Sequence, residues 1–223
     1  MICYREPGAE TARERMLRGV RFRCEYVRRG VSLLSRRQAR AAARKLRSEG
    51  IAYALAPEDY PYRAELMRRG IVPPPVLPLY CASAEAVVRF RLEQVGAEPR
   101  RSRVTLAAEY VTAELRALAF ALCGDVRYLS LAVAAGAGEL ADELRRLRGV
   151  AVQTGPPERL PPAALTAAFG GARAFGEVLR FDETLCVAYD GETSNELLAA
   201  MLRAGVLDVG RLRVRSVEQR WPS

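Results

Sequence analysis

The stretch Val104-Thr-Leu-Ala-Ala108-Glu-Tyr-Val-Thr112-Ala-Glu-Leu115-Arg-Ala-Leu118-Ala-Phe-Ala-Leu122-Cys-Gly124, continuing through Arg127–Val133 and Gly136–Gly149 to Val150–Thr154, decides the fold class. Val104–Ala108 reads as a buried strand, a short apolar run bounded by polar residues. Thr112 has the side chain of an N-cap, and Leu115, Leu118, Ala119 and Leu122 recur at the spacing of one helix face. Gly124 stops that helix, Arg127–Val133 is a second strand, and Leu140, Leu144 and Leu147 mark a second amphipathic helix. Arg145, Arg146 and Arg148 fall in its last turn, where cations suit the helix dipole. Val150–Thr154 follows Gly149 as a third strand. Strands alternating with ~10-residue helices predict an α/β fold with a mostly parallel sheet and right-handed crossovers.

Downstream, Ala163–Phe169, Val178–Phe181 and Leu185–Tyr189 read as strands, Thr193 and Glu196 as a capping box, and Arg211–Val217 as a final strand. In that strand Arg211, Arg213 and Arg215 alternate with apolar residues, as in a protected edge. Upstream, Val20, Phe22, Cys24 and Tyr26 alternate with Arg21, Arg23 and Glu25, predicting one half-buried strand over 20–27. Ser35 is read as the cap of a helix with Ala39, Ala42, Ala43 and Leu46 inward, closed by Gly50. Ile51–Ala56 is read as the next strand, completing a βαβ-like unit. Tyr62–Arg69 forms a short helix, Val72–Leu79 with its four prolines a stiff extended connection, and Ser83 caps a helix carrying Val87, Val88 and Leu92. The expected domains are a small basic α/β region, 1–98, and a Rossmann-like α/β domain, 99–223.

The second half is similar in outline, over Val104–Thr154, to the dinucleotide-binding domain of shikimate-dehydrogenase-like enzymes. That resemblance implies a fold whose first strand–helix turn cradles pyrophosphate on glycines. Here the turn reads Ala107-Ala108-Glu109-Tyr110-Val111-Thr112, without glycine and with a carboxylate at the phosphate position. The glycine loop is therefore degenerate. One unit later, Gly136-Ala137-Gly138-Glu139-Leu140-Ala141 fits G-x-G-x-x-A between a strand and a helix, making Gly136 and Gly138 the candidate cofactor-binding residues for a nucleotide. No carboxylate stands at the end of the following strand to meet a ribose, where Thr154 and Gly155 are found. The family's catalytic lysine has no counterpart, since Lys45, the single lysine, lies on an exposed helix face.

Composition removes many chemistries. The chain has no histidine, so Ser-His-Asp and Cys-His sites and the usual zinc, iron and copper ligand sets are excluded. Five scattered cysteines without a C-x-x-C pair argue against a disulfide framework or a thiolate metal site, and Cys24, Cys123 and Cys186 sit in apolar patterns. Two carboxylate–tyrosine clusters remain, Glu58-Asp59-Tyr60 with Tyr62 and Asp182-Glu183 with Tyr189-Asp190, both also suited to plain turns. No apolar run spans a bilayer, and Glu6, Glu10, Arg13, Glu14 and Arg15 occupy the place of a signal-peptide core, so the expectation is a cytoplasmic protein without a membrane partner.

Charge is one-sided. Residues 1–103 hold 22 Arg and Lys against 11 Asp and Glu, whereas residues 104–223 hold 13 against 15. Arginine in place of lysine fits a composition bias toward Ala, Arg, Gly and Pro, but such a bias leaves the missing acids of the first half unexplained. Arg36, Arg40, Arg44 and Arg47 share one helix face, read as lying opposite the Ala/Leu stripe, and form the candidate anion-binding set. Two functions follow. One is a non-catalytic binding or regulatory protein engaging a nucleic acid or an acidic protein through its first half. The other is a nucleotide- or dinucleotide-dependent, oxidoreductase-like enzyme with phosphate at Gly136–Gly138.

Overall fold

The computed structural model describes residues 1–4 and 13–220. They form two compact units, Met1–Val76 with Thr193–Asp208, and Leu77–Glu192 with Val209–Ser223.

The first unit begins with four short strands, β1 (Ile2–Tyr4), β2 (Glu14–Leu17), β3 (Val20–Arg23) and β4 (Glu25–Val27). β2 and β3 are an antiparallel hairpin in which Leu17 pairs with Val20. The two connecting residues, Arg18 (φ 50°) and Gly19 (φ 83°), both have positive φ, the signature of a turn whose twist matches its strands. β1 instead pairs in parallel with β4, Ile2 opposite Glu25. The alternating stretch 20–27 is therefore two strands with different partners. The break falls at Cys24, whose N–H bonds the Arg13 carbonyl, and beyond it Val27 rather than Tyr26 is fully buried.

Helix α1 (Leu33–Ser48) starts three residues earlier than its apolar spacing suggests. Ser32 is the cap, accepting from the Ser35 N–H at 3.1 Å, and the Ser32 and Ser35 hydroxyls meet at 2.8 Å. Ser35 is thus a buried residue of the first turn. The expected stripe Ala39, Ala42, Ala43 and Leu46 is buried and joins Ile2, Val27, Tyr60, Leu66 and Ile71 in one core. At the other end Gly50 (φ 75°) takes the left-handed conformation that lets its N–H bond Arg47 O and that of Ile51 bond Leu46 O. Ile51–Ala56 forms an isolated parallel bridge, Tyr53 with Val72, and its Leu55 carbonyl accepts from the Ile2 N–H, but it is not a strand. α2 (Arg63–Met67) completes this part.

In the second unit α3 (Leu77–Ala82) begins inside the proline-rich stretch read as extended. Pro78 sits in its first turn, where a missing N–H costs nothing. α4 (Ala84–Gln94) follows. Ser83 makes no side-chain cap there; its hydroxyl donates to the Leu79 carbonyl instead. The chain then runs β5 (Arg103–Tyr110), α5 (Ala113–Leu122), β6 (Tyr128–Ala135), α6 (Ala137–Arg148), β7 (Gln153–Thr154), β8 (Leu165–Phe169), β9 (Val178–Phe181) and β10 (Leu185–Tyr189). α7 (Asn195–Arg203) belongs to the first unit, where Glu196 meets Arg63 at 3.4 Å and Arg203 lies over the Tyr53 ring. Its cap is Ser194, one residue beyond the Thr193 expected. β11 (Val214–Gln219) returns to pair antiparallel with β10.

The centre of the second unit is a five-stranded, wholly parallel sheet in the order β7-β6-β5-β8-β9. Its two faces differ in size of side chain. Val104, Leu106, Leu129, Leu131 and Leu165 alternate to one face and are essentially inaccessible. The other face carries in-register rows of small residues, Ser130–Thr105–Thr166 and Ala132–Ala107–Ala168. The alanine row is covered by Leu160, Ala172, Ala174 and Val178 from the connections flanking β8 and from β9, not by a helix. β8 and β9 run parallel although only residues 170–177 join them, and that short return lies along the small face, with Thr166 Oγ1 donating to the Phe175 carbonyl at 3.0 Å.

Candidate anion-binding surface and carboxyl-end cleft

The four arginines singled out on α1 are not equivalent. Their row borders the buried stripe instead of opposing it, as a 100° step per residue places Arg36 only about 20° from Ala43. Arg40 is accordingly half-buried and approaches Glu65 Oε1 at 3.2 Å. Arg36, Arg44 and Arg47 are exposed, and no acidic group pairs with them among the described residues. Arg47 reaches toward Gly70, whose added Cβ would stand 3.8 Å from its Nη1. Arg37, not among the residues chosen from sequence, is equally exposed and without an acidic partner among the described residues. The signal that would have added it is its place beside Arg36, one step outside the face drawn.

Two largely buried acids of this unit are each shared by more than one cation. Glu65, whose side chain is only 11 % exposed, serves Arg40, Arg69 at 3.4 Å and Arg68 at 3.7 Å. Glu25 serves Lys45 at 2.6 Å and Arg23 at 3.9 Å. Pooling cations on buried acids leaves the outer row of α1 uncompensated. The Glu58–Tyr62 cluster is tied into the surrounding fold. Asp59 pairs with Arg29 at 3.2 Å, and Tyr60 is buried edge-on to Tyr62. The Tyr62 hydroxyl accepts from the Ser32 N–H at 3.3 Å and donates to the Ser32 carbonyl at 3.2 Å.

In the second unit a cleft of about 700 Å³ opens at the carboxyl ends of β5, β6, β7 and β8. Its walls are Ala108, Ala132, Val133, Ala134 and Ala137, glycines and prolines of the flanking loops, and two charged residues, Glu109 and Arg173. Glu109 is exposed and stands in the cleft as its sequence position implied. Arg173 lies 3.8 Å from Glu158. Gly136 is the N-cap of α6 with φ 85°, and a Cβ there would come within 3.1 Å of Val111 Cγ2, so any side chain at this position would be strained. Gly138 has no positive φ, and a Cβ on it would meet nothing within 4 Å. A second cavity of about 420 Å³ lies between the small face and residues 157–163, lined by Thr105, Thr166 and Phe175.

The other carboxylate–tyrosine cluster is not a single site. Asp182 and Tyr189–Asp190 flank the two ends of β10. Asp182 Oδ1 accepts from the Thr184 N–H at 2.9 Å and its hydroxyl at 2.6 Å, closing the turn before that strand. The Tyr189 hydroxyl meets Ser83 Oγ at 2.5 Å, and burial pushes it up to about 12. Burial also lifts the Cys81 and Cys3 thiols to about 11, so neither is an activated nucleophile. Among the described residues no group of three or more Cys, Asp or Glu is placed to hold a metal ion, and no helix is long and apolar enough to cross a membrane.

No protein-family model matches the chain, and no curated protein matches it significantly.

Proposed function

We propose that this chain is a non-catalytic binding or regulatory protein that takes an anionic partner, nucleic acid or acidic protein, through the arginine row of α1. The observation that carries this is the exposure of Arg36, Arg37, Arg44 and Arg47 on one helix with no acidic partner among the described residues. Guanidinium forks left in solvent are ready to meet phosphate or carboxylate without first breaking an internal ion pair. A cytoplasmic setting accords with five free cysteines. Binding of a fluorescent oligonucleotide and of polyglutamate, each titrated with salt, tests the reading. Affinity falls steeply with salt if the row is the site. Absent or salt-insensitive binding refutes it.

A second reading has its own support. The strand order β7-β6-β5-β8-β9 is that expected of a Rossmann-like domain, and in open α/β sheets ligands settle outside the carboxyl ends where the order reverses. The 700 Å³ cleft occupies that position, with Ala137 of α6 in its wall. A nucleotide there, with phosphate at Gly136–Gly138, would make the chain an oxidoreductase-like enzyme. Glu109 opposes it, since its carboxylate shares the cleft with any phosphate. A thermal-shift panel of nucleotides decides: stabilisation lost in Gly138→Asp favours this reading, and no stabilisation removes it.

A further inference from the structure

The start of α1 carries an unusual juxtaposition. Arg28-Arg29-Gly30-Val31-Ser32-Leu33-Leu34-Ser35-Arg36-Arg37 places three large apolar residues between two arginine pairs. All three face water, Val31 at 83 %, Leu33 at 85 % and Leu34 at 46 % exposure. They are not displaced core residues, because Ala39, Ala42, Ala43 and Leu46 already fill the buried stripe of the helix. Beside them, between the start of α1 and α2, lies a groove of about 470 Å³ whose lining includes Val31, Leu33, Tyr62 and Ala64, together with Arg36 and Arg68. Glu65 also borders it, but its carboxylate is held by Arg40, Arg68 and Arg69.

We propose that this groove docks an acidic segment of a protein partner, with one large aliphatic or aromatic side chain in the groove and flanking carboxylates on Arg36 and Arg37. The inference rests on the reading that the first unit takes an anionic partner, and it names which kind. Charge complementarity sets the sign of the partner, and the apolar lining sets its chemistry. A hydrocarbon side chain gains from leaving water against Val31 and Leu33, whereas a phosphate backbone gains nothing there. Single-stranded nucleic acid is held by stacking successive bases on several aromatic rings, and the groove lining has one, Tyr62, whose hydroxyl is fixed on Ser32. The mixture of apolar anchor site and arginine rim is also the composition of protein interfaces.

The test uses fluorescence anisotropy on the full chain with four probes. They are a dodecapeptide of Glu and Asp around a central Leu-Phe pair, the same peptide with Ser-Ser at its centre, an oligothymidylate, and phosphatidylserine vesicles. The Leu-Phe peptide binds at least tenfold tighter than the Ser-Ser peptide. Leu33→Ser, at a position already in solvent, weakens the Leu-Phe peptide about tenfold while circular dichroism stays unchanged. Arg36→Glu with Arg37→Glu weakens both peptides. Equal binding of the two peptides, indifference to Leu33→Ser, or a preference for vesicles or oligothymidylate overturns the inference. Oligothymidylate binding with no peptide preference leaves the broader anionic-partner reading standing, whereas failure of every polyanion removes both.

Discussion

Replacing Glu65 by glutamine should loosen the first unit and at the same time strengthen its hold on polyanions. The carboxylate is 11 % exposed and sits within 4 Å of Arg40, Arg68 and Arg69. Glutamine keeps the shape, so the change isolates charge. An exposed ion pair contributes roughly 0.2–1 kcal/mol, and breaking a buried one costs about 3–5 kcal/mol. Here the acid is nearly buried while its arginines are 43 %, 72 % and 32 % exposed, so the expected loss is about 2 kcal/mol. Hydrogen exchange read by mass spectrometry suits this because it reports local opening within a two-unit chain. Amides of α1 and α2 should exchange roughly 30-fold faster, 1.4 kcal/mol being tenfold, with β5 and β6 unaffected. Polyanion affinity should rise, as three guanidinium groups are released. Unchanged exchange in α1, or an equal increase in β5 and β6, would refute the role given to Glu65.

Other outcomes follow from the second unit. Leu106→Ala, on the large-residue face, should destabilise by about 3–5 kcal/mol, whereas Ala107→Leu on the small face should cost about 1–3 kcal/mol by overpacking; urea midpoints measure both, and a tolerated Ala107→Leu contradicts the close cover of that face. Gly136→Ala should cost on the order of 1–2 kcal/mol, from positive φ and the Val111 contact, while Gly138→Ala should be neutral or stabilising by up to about 1 kcal/mol. Tyr189 keeps its proton to about 12 in the folded chain against 10.0 for an ordinary tyrosine. Folding therefore holds a proton that the unfolded chain releases, and stability that is complete below pH 10 is lost as pH rises toward 12. Ultraviolet titration should show this late phenol, and Tyr189→Phe should remove it.

Much of the second unit was legible because its signals are local. Thr112, the leucine spacing of α5 and the glycine after it each act within a turn, and β8, β9 and β10 were bounded by prolines, glycines and polar turn residues. The first unit was harder for reasons of pairing and competition. Nothing in the alternation of 20–27 tells that Cys24 divides it between two partners, since both halves satisfy a period of two. Ser32 and Ser35 are both competent caps, and only the reciprocal pair of hydroxyls selects the first. Pro78 excludes a helix interior but not a first turn, which a composition argument on four prolines overlooks. The candidate site was partly visible. The arginine row was found on α1, but partner acids distant in sequence decided which members stay available, taking Arg40 for Glu65. The small-residue face was written in the threonines, serine and alanines of β5, β6 and β8, yet it becomes a face only when the register is known.

The salt dependence of polyanion binding, measured on the wild type and on a variant with Arg36, Arg37, Arg44 and Arg47 all changed to glutamine, decides whether the arginine row of α1 is the anion site. These residues are exposed, so the fold should survive the change. Four phosphate contacts correspond to a slope of roughly −3 in log affinity against log salt for a single-stranded probe. The wild type should show that slope, and the variant a slope near zero with lost affinity. An unchanged slope in the variant would place the anion elsewhere and rule out the arginine row as its site.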